Sequence, residues 1–112
     1  MAFITGANAG TIDIHNENLS VPAGGIPATV YLDSPMGPIS FILPQEGASQ
    51  SRTNIADSHY SSISVGPPFR YNRKESTSCH NLDIKVTKDS HHIITLRKGE
   101  DAVHGTVLSC EI

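Results

Sequence analysis

The sequence predicts an all-β domain, and three observations carry that reading. Ile outnumbers Leu twelve to six, and Ile, Val and Thr make 26 of the 112 residues, a bias toward side chains that are stiff at χ1 and suit strands. Helix-favouring residues are thinly spread, while nine Gly and seven Pro punctuate the chain every few residues. Short runs of alternating apolar and polar residues recur between these turn signals. Together they predict one domain over residues 1–112, a single-domain antiparallel β-sandwich or partly closed barrel of about seven short strands, ending in a three-stranded meander.

The elements follow in order. Thr11-Ile12-Asp13-Ile14 opens an alternation that meets the polar cluster His15 to Asn18 and resumes at Leu19-Ser20-Val21, a first hairpin. Pro22 to Pro27 breaks regular structure. Residues 28–43 give the clearest signal: Ala28, Val30 and Leu32 alternate with polar neighbours, and Ile39, Phe41 and Leu43 do so after Ser34-Pro35-Met36-Gly37. Pro at the second turn position and Gly at the fourth suit a type I turn, so this is a hairpin. Residues 44–57 keep no period and are expected to be a long loop. Residues 58–65 read as a strand, with Tyr60 on one parity and Ile63 and Val65 on the other. Gly66-Pro67-Pro68 ends it and a second long loop follows to residue 78. The meander is Leu82 to Thr87, then His92 to Arg97, then Ala102 to Ile112, with turns at 88–91 and 98–101. A parity change in the last strand places a bulge at Gly105.

Cys79 and Cys110 allow one internal disulfide. In the meander, the strands carrying them run parallel on either side of the middle strand, with Cys79 at the start of one and Cys110 at the end of the other. Nine-residue strands rise roughly 25 Å, at about 3.3 Å per residue. A disulfide spans a Cα separation of at most about 7 Å. Meander and bridge therefore exclude each other, and the turn chemistry around positions 88 and 98 favours the meander with free thiols. A bridge requires the 82–87 segment to cross to another sheet.

Composition excludes several classes. A chain that is 38% hydrophobic and carries a net charge of −3 is not a disordered segment. It offers no field to gather nucleic acid. No apolar run approaches the roughly eighteen residues of a membrane span, so membrane insertion is not expected. Residues 1–10 lack the basic start and long apolar middle of a secretory signal. The expectation is a soluble chain, cytoplasmic or secreted with its signal already removed; 13 Ser and few Lys lean toward export. Asn18-Leu19-Ser20 fits a glycosylation sequon, a triplet that chance supplies about once in a chain of this size, and alone it has no weight.

Six histidines stand out, at 15, 59, 80, 91, 92 and 104, but no His-x-His spacing puts two on one face of a strand. They are expected to be polar surface or hydrogen-bonded groups, and neither metal nor cofactor is implied. The loop from Gly66 to Lys74 is the most distinctive surface. Phe69, Arg70, Tyr71, Asn72 and Arg73 set aromatic rings beside guanidinium donors, a combination suited to sugar rings and peptide segments. Asp13 and Asn16 add acceptors on the first hairpin. The expected function is non-catalytic recognition of carbohydrate or a protein surface through loops 44–57 and 66–78, with sheet edges offering a route to homo-oligomers. Two alternatives compete. One is a small nuclease-like hydrolase using His59, His80 and Arg70 or Arg73. The other is a protease inhibitor presenting Gly66 to Arg70.

Overall fold

The computed structural model describes residues 10–19, 28–66, 78–103 and 105–112. They form ten strands: β1 (Gly10–Asn16), β2 (Thr29–Asp33), β3 (Ile39–Ile42), β4 (Ser49–Ile55), β5 (Ser58–Tyr60), β6 (Ser62–Val65), β7 (Ser78–Cys79), β8 (Ile84–Val86), β9 (His91–Asp101) and β10 (Gly105–Glu111). One sheet has the order β10-β9-β1-β4, a second β3-β2-β6-β7, and β5 and β8 form a small third sheet. The fold is all-β, as the composition requires, and no sheet among the described residues closes into a barrel. Pairing is antiparallel except between β1 and β9, which run parallel.

Alternation explains which faces meet. Ile12 and Ile14 of β1, Ile94 and Leu96 of β9 and Leu108 of β10 are buried from the first sheet; Val30, Leu32, Phe41, Ile63 and Val65 are buried from the second. They make one cluster with Tyr60, Ile84 and Val86 of the third sheet. Gly10 is buried where β1 meets that third sheet, and a Cβ there would collide with Val86 Cγ1. Only glycine fits this seam.

The β2–β3 hairpin forms as expected, closed by Gly37 N–H donating to the Ser34 carbonyl at 2.9 Å. Other expectations are corrected. β1 is flanked by β4 and β9 and not by a hairpin partner; Ser20 and Val21 of the expected hairpin lie outside the described residues. The 44–57 loop contains β4, whose side chains are exposed at five of seven positions. An edge strand open on both faces has no apolar parity to display, which is why no period was visible. β4 also carries an extra residue opposite β1, with Asn54 at φ +57°. The 58–65 strand divides at Ser61: Tyr60 turns into the third sheet while Ile63 and Val65 join the second.

The three-stranded meander is likewise broken. β8 pairs with β5, and only β9 and β10 form a hairpin. Its turn lies after Asp101, beyond the expected 98–101, so Lys98 to Asp101 belong to β9. The bulge expected at Gly105 does not form: β10 pairs with β9 without a register shift from Gly105 to Glu111, and Gly105 instead takes a left-handed backbone, φ +78°, at the first pair after the turn. With β8 removed to another sheet, the thiols are bridged and not free: Cys79 and Cys110 form a disulfide with a Cα separation of 6.4 Å. It joins β7 and β10, the edges of the two large sheets. On the opposite flank Arg52 of β4 donates to the Ser40 carbonyl of β3 at 2.7 Å, its guanidinium 5.6 Å from the centre of the Phe41 ring. Both flanks of the sandwich are thereby tied.

Candidate functional site

Each of the two large sheets turns one face to solvent, and the chemistry of these two faces differs. On the first sheet, Thr11, Asp13 and His15 of β1 point outward with Ser49 and Ser51 of β4 and His91, Ile93 and Thr95 of β9, because register places them side by side. Most of its polar groups are paired. His15 Nδ1 lies 2.8 Å from Ser49 Oγ, and His91 Nε2 lies 2.8 Å from Asp13 Oδ2. Arg97 lies 3.0 Å from Glu17 and 2.5 Å from Glu111. The Ser51 hydroxyl lowers the Asp13 pKa from its ordinary value; partial burial works against this, and His91 lowers it further.

The outer face of the second sheet is simpler. Cross-strand register aligns Ser40 of β3, Tyr31 of β2, Ser64 of β6 and Ser78 of β7 in one row. Thr29 and Ile42 form the adjacent pair and Asp33 and Ser62 the next on the other side. Tyr31 is 42% exposed and Ile42 55%. The Tyr31 ring lies against Gly66, where a Cβ would stand 3.4 Å from its Cε2. The row therefore presents one aromatic ring in a border of hydroxyls.

Of the residues singled out from sequence, Phe69, Arg70, Tyr71, Asn72 and Arg73 lie outside the described residues, as do Pro67 and Pro68 of the inhibitor reading. The two ends of their segment are described. Gly66 N–H donates to the Thr29 carbonyl at 2.8 Å, and Ser78 pairs with Ser64, so both bounding residues, Gly66 and Ser78, sit on the second sheet. Asp13 is on the first sheet's outer face. Asn16 is not available to a ligand. It is fully buried, accepts from Leu19 N–H at 2.7 Å and donates to the carbonyls of Leu19 and Pro44. Alternation puts it on the inward parity of Ile12 and Ile14, whereas its polar neighbours His15, Glu17 and Asn18 mark an exposed cluster.

For the hydrolase alternative, His59 is on β5 with Nε2 2.7 Å from Asp83 Oδ1, and His80 follows β7. His92 Nε2 lies 2.8 Å from the Lys85 carbonyl. Tyr31 is legible in the sequence as a member of the outward parity of the 28–33 alternation. What the sequence could not show is that serines from three other strands would line up with it. No family model, curated protein or solved structure matches this chain.

Proposed function

We propose that the chain is a recognition module that binds carbohydrate on the outer face of the second sheet. The observation that carries this reading is the row Ser40–Tyr31–Ser64–Ser78, an exposed ring bordered by hydroxyls that cross-strand register sets side by side. A sugar ring offers an apolar C–H face to stack on tyrosine and a hydroxyl edge that needs donors and acceptors within reach. Serines supply both roles. The first sheet's face suits this less well, because Asp13 is paired with His91, and Glu17 and Glu111 with Arg97. Phe69, Arg70, Tyr71, Asn72 and Arg73 extend the same reading, since the residues that bound their segment, Gly66 and Ser78, sit on this sheet.

The disulfide supports passage through an oxidising compartment, which agrees with a secreted chain. Among the described residues no helix is long and apolar enough to cross a membrane.

A glycan array followed by titration of the strongest hits tests the proposal. Tyr31→Ala is expected to abolish binding while leaving the unfolding midpoint near that of the parent, because the ring is on the solvent side. An array without binding, or binding unchanged in Tyr31→Ala, overturns it.

A further inference from the structure

The sequon at Asn18 acquires meaning from the fold. Asn18 follows β1 at a half-exposed bend beside β9, and its Oδ1 accepts the Lys98 backbone N–H at 2.8 Å. The side-chain amide is thus held by its oxygen, and among the described residues its Nδ2 makes no hydrogen bond. An N-linked glycan attaches at Nδ2 and leaves the oxygen free to keep its acceptor role, so modification and the Lys98 contact are compatible. The flanking Leu19 is fully buried and its backbone N–H and carbonyl are both bonded to Asn16. Modification therefore has to precede folding of this turn. The Cys79–Cys110 bridge independently supports passage through the kind of compartment in which such modification occurs.

We infer that Asn18 is an N-glycosylation site. In the reaction a lipid-pyrophosphate-linked oligosaccharide is the donor. The bond from its sugar C1 to the pyrophosphate oxygen breaks, a bond from C1 to Nδ2 forms, and the amide loses one proton while the lipid pyrophosphate leaves. Asn18 hangs from the first sheet, so a glycan there leaves the Tyr31 face of the second sheet open. This inference rests on the compartment reading and not on the ligand of that face.

The test is expression of the whole chain through the secretory pathway of a eukaryotic cell, with intact mass and a thiol count on the same sample. The expected result is a glycan mass that disappears in both Asn18→Gln and Ser20→Ala. An amidase-type N-glycosidase should release it and leave aspartate at position 18. Ser20→Ala keeps the Asn18 amide, so loss of glycan in that variant cannot come from disturbing the Lys98 contact. A chain secreted with its bridge formed and no glycan at Asn18 overturns this inference and leaves the compartment reading standing. A chain secreted without glycan and with two titrating thiols overturns both.

Discussion

Single residues decide where polar chemistry is structural and where it is free. Asp13 and Asn16 come from the same alternating run, yet one faces solvent and the other closes the turn to Leu19. Parity separates them: Asn16 shares the inward face of Ile12 and Ile14, so its amide had to find partners inside. That much was legible from alternation; the carbonyl of Pro44 that completes the set is remote in sequence and was not. Asp13 makes a pH prediction. Its carboxyl is held below its ordinary value of 3.8, chiefly by Ser51 with a further contribution from His91. A carboxyl lowered in the folded state contributes stability above its unfolded pKa and loses it as pH falls through the folded one. Urea midpoints measured from neutral pH down through the region below 3.8 should therefore fall more steeply for the parent than for Asp13→Asn. Parallel curves would show that Ser51 and His91 contribute nothing through this carboxyl.

At the scale of elements, local signals and non-local ones separate cleanly. The β2–β3 hairpin was readable because Ser34-Pro35-Met36-Gly37 encodes its own turn and the strands on each side show one buried parity. β4 was not, since its pairing comes entirely from β1 and its exposed positions leave no hydrophobic trace. The three C-terminal strands exist, but alternation cannot say which neighbour a strand takes. β8 leaves the expected meander because Tyr60 and Ile84 meet across the β5–β8 pair. The seam between this small sheet and β1 depends on Gly10. A Gly10→Ala substitution pushes a methyl into Val86 and within 3.1 Å of the Thr87 carbonyl. It should cost about 1–3 kcal/mol in urea unfolding. A variant as stable as the parent would show that the third sheet gives way without penalty and is not fixed to the sandwich there.

The whole molecule is a sandwich tied on both flanks, covalently between β7 and β10 and by Arg52 between β4 and β3. The bridge closes residues 31 apart in sequence, which in the loop-entropy model restrains the unfolded chain by about 4 kcal/mol. Replacing both cysteines by alanine is expected to lower stability by about that amount, and a thiol titration of the denatured, unreduced parent should find none. Fold class was written in composition and alternation. The bridge was not, because its partners become neighbours only after β8 crosses to another sheet. The site divides in the same way: an exposed Tyr31 follows from parity, whereas its border of Ser40, Ser64 and Ser78 exists only once four strands are in register. That border is the centre of the functional account. Its most direct test is amide-shift mapping by NMR during titration with the strongest sugar from the glycan array. Sugar bound on the second sheet's outer face shifts Thr29, Tyr31, Ser40, Ile42 and Ser64; shifts confined to the first sheet's face, around Asp13, His15 and Thr95, place the ligand elsewhere and overturn the proposal.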